Sequence, residues 1–353
     1  MSRPQDPRHP FFPFGNPFRM ISPKGSQLSP QLLSILNTFE KPLAERLRRL
    51  FPKDKNDVLS LNWMKSAIES LCETHTDIKT LITNLELPVA DWDERWIDVY
   101  LDISAKLLDI SNCFISEITR LKQGHLLLQC VLHNLDSNTQ EKFMRARSSL
   151  DAWGQHICTK NPRLENCQSI LDSLVESLNM PKVKNSAKGK VLMRAMYGVK
   201  VETVFLCNIF AAALSGSSKN LLALNIPDTF LWAQAYTDLQ TSVNLEIKDK
   251  FSHGATTVLK ELSSVDTVVK KLYPMIQDGF GPIEAEAFQI SISHLRRVSE
   301  ELSQGLDLLA KEVDGFFRIL LTGRDALLCN LRASATILDP VLGANVEERV
   351  VRS

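Results

Sequence analysis

Histidine and cysteine are the residues of this sequence whose chemistry could support metal binding or catalysis, and the chain has seven of each. A di-iron or di-manganese helical bundle needs Glu-x-x-His pairs, and no glutamate stands three positions before any histidine. The nearest approach to a zinc site is His156, Cys158 and Cys167. A second combination is Cys130 with His133. Because the closely paired cysteines of structural zinc sites are missing, the sequence predicts no metal site.

Two glycine-containing segments superficially resemble nucleotide-binding motifs. A phosphate-binding loop would need Gly at position 184 and Ser or Thr at 191, where this chain has Lys184 and Val191. The segment GFGPIE, from Gly279, lacks the third glycine of a dinucleotide-binding turn. Neither G-x-S-x-G nor H-E-x-x-H occurs, and His75 is interpreted as a hydrogen-bonded core residue. We therefore predict no catalytic residue and no cofactor, and we expect that the protein is not an enzyme.

A group of basic residues, predicted to lie in a loop, is the best candidate for an exposed contact with a membrane or a partner protein. No Asp or Glu occurs between Ser177 and Val201. Each basic residue near an anionic lipid surface contributes about 1 kcal/mol of binding. The alternative is a solvated loop with ordinary charges. We call this group the basic cluster, and it comprises Lys182, Lys184, Lys188, Lys190 and Arg194.

The basic cluster precedes the longest uncharged segment of the chain, within a helix predicted over residues 199–218. No charged residue lies between Thr203 and Ser218. A transmembrane helix needs roughly 20 mostly apolar residues, so this segment favours a buried core helix. A membrane-associated helix and a partner interface are the alternatives. The side chains that would enter the core or the membrane are Val204, Phe205, Leu206, Ile209, Phe210 and Leu214.

Composition places the chain among globular proteins. Of its 353 residues, 44% are hydrophobic and 23% are charged, with 41 basic and 41 acidic side chains. A balanced charge argues against a nucleic-acid-binding protein, which would show a basic excess. The scattered cysteines, the lack of an N-x-S/T sequence and the lack of a signal peptide indicate an intracellular protein in a reducing compartment.

Helical periodicity dominates the rest of the sequence. Between Leu61 and Leu85, apolar residues and His75 alternate at spacings of three and four, and a similar pattern runs from Phe288 to Leu320. No segment alternates as a strand would. The sequence therefore predicts an all-α fold, an antiparallel bundle of long helices over residues 29–335. An irregular Pro/Phe-rich leader would occupy residues 1–28, and a C-terminal tail residues 336–353.

Several helix ends are also predicted. Ser29 followed by Pro30 is typical of a helix start, and Asn161 followed by Pro162 separates two helices. Asp91 and Glu94 have the spacing of a capping box. Pro274 is expected to end a helix.

Long segments of the chain resemble the plant BYPASS proteins. The resemblance covers nearly the whole chain and is carried by FFPFGNPFRM, DVLSLNWM, LPVADWDERWIDVYLDIS, LQCVLHNLDS, KNSAKGKVLMRAMYGVK, LDLLAKEVDGFF and LLTGRDALLCNLR. It implies a regulator of root and shoot development that prevents constitutive production of a root-derived, carotenoid-related mobile signal, which otherwise arrests shoot growth. No catalytic residues are defined for the family.

The resemblance leaves two alternatives open, and it bears on location. One alternative is a membrane-associated helical adaptor in trafficking with exocyst-like partners, since a related plant group is linked to that complex. The other is an enzyme of unrecognised type that acts on the precursor of the signal. The resemblance implies a plastid or membrane-associated protein, with the cytoplasm or an endomembrane surface as the alternative. Protein partners are expected, and membrane contact would run through residues 182–218.

Overall fold

The protein is an all-α structure, as predicted. The computed structural model describes residues 28–54, 57–86, 94–136, 139–178, 186–216, 221–252, 257–278 and 285–347. These residues form helices joined by short connections, and no strand occurs among them. The helices are α1 (Pro30–Leu50), α2 (Leu61–Leu85), α3 (Glu94–Leu135), α4 (Gln140–Cys158), α5 (Pro162–Glu176), α6 (Ala187–Ser215), α7 (Ala233–Ser252), α8 (Lys260–Asp278) and α9 (Ala285–Glu347).

Helix α6 lies at the centre of the bundle, where it packs against α1, α2, α3 and α5, and α9 packs against α2, α3 and α8. Helices α1 and α2 run antiparallel, because Arg46 pairs with Asp77 while Leu50 accepts a hydrogen bond from the Trp63 indole. Helices α2 and α9, which are distant in the sequence, run parallel. Leu61 packs against Gly305 near one end of this pair, and further along both helices Lys79 reaches the carbonyl of Ile319.

The local cues for helix starts are confirmed at two positions. Ser29 Oγ accepts a hydrogen bond from the Leu32 amide at 3.3 Å, with Pro30 at the first helical position. Asn161 Oδ1 caps α5 by accepting from the Arg163 amide at 3.0 Å. The predicted capping box at Asp91 lies outside the described residues.

The prediction that Pro274 ends a helix was wrong, since α8 continues to Asp278. A proline inside a helix removes one backbone hydrogen bond. Leu272 and Ile276 on either side of it are both buried, so packing on the bundle offsets that loss.

Two predicted boundaries differ from the structure. Helix α6 begins at Ala187 rather than at residue 199, because Ser186 caps it by accepting a hydrogen bond from the Gly189 amide at 3.0 Å. Helix α9 continues to Glu347, beyond residue 335 where the bundle was predicted to end. The predicted leader lies outside the described residues, apart from Leu28.

Candidate functional site

The uncharged part of α6 fills the centre of the core. The six side chains singled out from the sequence, Val204, Phe205, Leu206, Ile209, Phe210 and Leu214, are all buried. By length and composition alone, α6 is apolar enough to cross a membrane, yet 89% of its most apolar window is buried inside the protein. Its neighbours on α1, α2, α3 and α5 therefore take the place that lipid would occupy.

The basic cluster divides into residues of α6 and residues outside the described part of the chain. Lys182 and Lys184 lie outside it. Lys188, Lys190 and Arg194 lie in the first turns of α6 and not in a loop, which corrects the sequence interpretation. Lys188 Nζ donates to the carbonyl of Glu86 at the end of α2, at 3.3 Å, and Lys190 is exposed to solvent.

Arg194 forms an ion pair with Glu40 that links three parts of the bundle. The guanidinium donates to both carboxylate oxygens of Glu40, at 2.5 and 3.1 Å, and lies 4.7 Å from the ring centroid of Phe230. Glu40 is only 1% exposed and also accepts from the Leu231 amide at 2.9 Å. Arg194 thus joins α1, α6 and the turn before α7, and its charge is already balanced inside the protein.

Two charged residues precede the uncharged part of α6 and are themselves buried. Lys200 donates to the carbonyl of Ser177, and burial lowers the pKa of its ammonium to about 8. Glu202 accepts from Ser70 Oγ at 2.6 Å, and burial raises the pKa of its carboxyl to about 7. Both shifts follow from the cost of holding a charge away from water.

His75 is a core residue with a defined hydrogen bond. Thr203 Oγ1 donates to the Val199 carbonyl at 2.7 Å, so His75 Nε2, at 3.1 Å from the same oxygen, acts as the donor. The ring packs edge-on against Phe316 with centroids 5.2 Å apart. Burial lowers the pKa of His75 to about 4, which keeps the ring neutral.

A cavity of about 260 Å³ lies beside the C-terminal half of α6, with Ala211, Ala212 and Leu214 in its wall. We call it the Glu117 cavity, because a carboxylate from α3 is buried at its edge with 1% exposure. Glu117 accepts from Arg120 Nη2 at 2.7 Å and from Asn161 Nδ2 at 3.0 Å. The site therefore combines an apolar wall with an ion pair between Glu117 and Arg120.

The candidate metal ligands do not converge in the structure. His156 Nε2 donates to the carbonyl of Arg120 at 2.8 Å, while Cys158 is exposed and Cys167 is buried. Among the described residues, no group of three or more His, Cys, Asp or Glu side chains could hold a metal ion. Cys130 and His133 are both exposed on α3.

Glu117 and Glu202 were not predicted as site residues, although the sequence contained a signal for one of them. Glu117 interrupts an otherwise apolar seam on α3, and a buried carboxylate at such a position requires partners. Glu202 looked like an isolated charge next to the uncharged segment. Its partner Ser70 is 132 residues away in the sequence, so periodicity could not identify the pair.

Fold and site together define an all-α helical-bundle protein with a buried central helix and a partly polar cavity. The chain belongs to the ROH1-like family, whose model, described as Protein ROH1-like, matches residues 22–153 and 166–330. No solved structure matches the chain.

Three curated relatives show how far the similarity extends. Protein BPS1, chloroplastic, of Arabidopsis thaliana is 58% identical over 94% of both chains, which confirms the resemblance to the BYPASS proteins. UPF0496 protein 4 of Oryza sativa subsp. indica is 45% identical over 83% of this chain and 65% of its own. Protein ROH1D of Arabidopsis thaliana is 18% identical over 86% of this chain and 89% of its own.

Proposed function

We propose that the protein is a non-enzymatic developmental regulator that prevents constitutive production of a root-derived, carotenoid-related mobile signal. The observation that carries this proposal is the 58% identity to BPS1 over 94% of both chains. Identity of this extent spans the whole bundle rather than one motif. The expected mode of action is contact with partner proteins on the outer faces of the helices. The apolar part of α6 is buried inside the bundle, so it is not accessible to a partner.

Complementation tests the developmental role. The chain is expressed in Arabidopsis plants that lack BPS1, and shoot growth is scored. We expect shoot growth to resume, and to fail with Phe205→Asp, which places a charge where the ring contacts Tyr236 with centroids 5.2 Å apart. If the wild-type chain accumulates to the level of BPS1 and shoots stay arrested, the proposal is wrong.

Proximity labelling tests both the mode of action and the compartment. The labelling enzyme is fused to the C-terminus so that the native N-terminus is kept. We expect plastid proteins among the neighbours, because BPS1 carries the description chloroplastic. Labelling restricted to cytosolic or endomembrane proteins would contradict a plastid location and would favour a role in trafficking.

Peripheral membrane binding is a second candidate, favoured by the acid-free basic sequence from Ser177 to Val201. Because the apolar side chains of α6 are buried, lipid contact would be made by lysines of the basic cluster. Liposome flotation tests this with anionic and neutral vesicles. Each lysine contributes about 1 kcal/mol near an anionic surface, so a fourfold charge reversal should weaken binding at least about tenfold. The four reversals are Lys182→Glu, Lys184→Glu, Lys188→Glu and Lys190→Glu.

A matched variant separates this patch from overall charge. It reverses four lysines that are exposed elsewhere on the bundle, namely Lys41, Lys53, Lys160 and Lys248. Equal flotation of the two variants would exclude the basic cluster as the lipid contact. Equal binding of the wild type to neutral and anionic vesicles would exclude the electrostatic mechanism altogether.

A further inference from the structure

Helices α3 and α5 pack antiparallel in a register that is fixed by polar contacts on both sides of two cysteines. Lys106 Nζ donates to Ser173 Oγ at 2.9 Å, and Asn161 Nδ2 donates to Glu117 Oε2 at 3.0 Å. Cys113 lies between Lys106 and Glu117 on α3, and Cys167 lies between Asn161 and Ser173 on α5. The register therefore places the two thiols opposite each other.

The two thiols differ in exposure and in acidity. Cys113 is 8% exposed and Cys167 is fully buried. The hydrogen bond from Cys167 lowers the pKa of Cys113 to about 7, and the nearby charge of Arg163 adds to this effect. Donating that bond, together with burial, raises the pKa of Cys167. The thiolate therefore forms at Cys113, which is also the sulfur that a small oxidant reaches first.

We propose that Cys113 and Cys167 are a modification site at which a peroxide forms a disulfide between α3 and α5. The Cys113 thiolate attacks one oxygen of hydrogen peroxide and breaks the O–O bond, giving a sulfenic acid and a hydroxide that takes up a proton to become water. Cys167 then loses its proton, and its sulfur displaces hydroxide from Cys113 as a second water. Two thiols and one peroxide become one disulfide and two waters, with two electrons passing from sulfur to oxygen.

The disulfide would fix one wall of the Glu117 cavity. Leu164 and Gln168 of α5 line that cavity together with the small residues of α6. The closed loop would contain α4 and the connection before α5, so both would be tied to α3. After reduction of the disulfide, α5 would be held only by its packing against α3 and α6.

Peptide mapping of the full chain tests the proposal without a variant. The reduced protein is treated with hydrogen peroxide, quenched, unfolded, alkylated, digested and examined by mass spectrometry. We expect a peptide that links Cys113 to Cys167, and neither of these two thiols should be alkylated. A link from Cys167 to Cys207, or alkylation of both Cys113 and Cys167 at a peroxide dose that oxidises the exposed Cys158, would overturn it.

Single variants test the order of the two steps. In Cys167→Ala, dimedone should trap a sulfenic acid on Cys113, whereas in Cys113→Ala the buried Cys167 should react at least about tenfold more slowly. Cys207→Ser is the matched control, since it removes a buried thiol on α6 and should leave the link between Cys113 and Cys167 intact. Equal trapping at Cys113 and Cys167 would contradict the assignment of Cys113 as the attacking sulfur. Circular dichroism of each variant verifies that it is folded.

Discussion

Glu202 offers a direct measurement of what a buried charge costs this bundle. Its side chain is 1% exposed, and burial raises the pKa of the carboxyl from 4.5 to about 7, although the hydrogen bond from Ser70 acts in the opposite direction. One pKa unit corresponds to 1.36 kcal/mol, so this shift amounts to about 3 kcal/mol. Glu202→Gln removes the titration while keeping an oxygen that can accept from Ser70.

The sign of the pH dependence follows from proton binding. Between about pH 4.5 and 7 the unfolded chain releases the Glu202 proton while the folded protein keeps it. The contribution of Glu202 to the free energy of unfolding is therefore fully present below pH 4.5 and is lost as the pH rises towards 7. His75 acts in the opposite direction, since its pKa is lowered to about 4 and its contribution is lost as the pH falls from 6.5. The two slopes partly cancel in the wild-type protein.

Urea unfolding at intervals from pH 4.5 to 8 measures the effect. The quantity to follow is the unfolding free energy of Glu202→Gln minus that of the wild type, because the contribution of His75 is the same in both and cancels. We expect this difference to increase by about 3 kcal/mol as the pH rises from about 4.5 to 7, and to level off above pH 7. The increase of this difference with pH is the test. A poorly placed amide in the Glu202→Gln variant would lower its stability by an amount that does not depend on pH. Glu45→Gln, at an exposed position of α1, is the matched control for the loss of one carboxylate. A flat difference for Glu202→Gln would refute the reasoning.

The remaining predictions concern packing and pairing, and each is measured by urea unfolding. Gly154→Ala on α4 should raise stability by about 0.5–1 kcal/mol, because a Cβ there meets nothing within 4 Å and Ala favours the helix. Gly305→Ala should lower stability by about 1–3 kcal/mol, because its Cβ would lie 2.7 Å from Leu61 Cδ1; a gain like that at Gly154 would contradict the packing of α2 on α9. A double-mutant cycle of Glu40→Ala and Arg194→Ala should give a coupling of at least about 1 kcal/mol, whereas zero coupling would show that the pair is solvent-exposed in solution.

Periodicity predicted which faces of the helices are buried. The seam of α2 from Leu61 to Leu85 is buried, apart from the partly buried Ile82. Hydrophobic spacing reports that a face is covered and does not report what covers it. Only the structure shows that α2 packs parallel to α9. The same holds for the central position of α6 among α1, α2, α3 and α5.

Local cues and long-range pairs account for the other differences. Ser186 is a capping residue that marks the start of α6, but the lysines after it favour a loop when the sequence alone is considered. The pair of Glu40 and Arg194 spans 154 residues, and no local pattern indicates such a contact. The Glu117 cavity depends on several such contacts at once, so the candidate site could not be predicted.

The composition of helix α6 would suit either a membrane or a protein core. Both require an uncharged apolar helix, and composition does not separate them. Lys200 and Glu202 do separate them, because each has a partner placed by another part of the bundle: the carbonyl of Ser177 after α5 and the hydroxyl of Ser70 on α2. Moving α6 into lipid would break both contacts and leave two polar groups without partners, at a cost of several kcal/mol for each. For the folded protein, these contacts favour peripheral binding as the only mode of membrane association to test, and flotation of the lysine variants is the measurement that tests it.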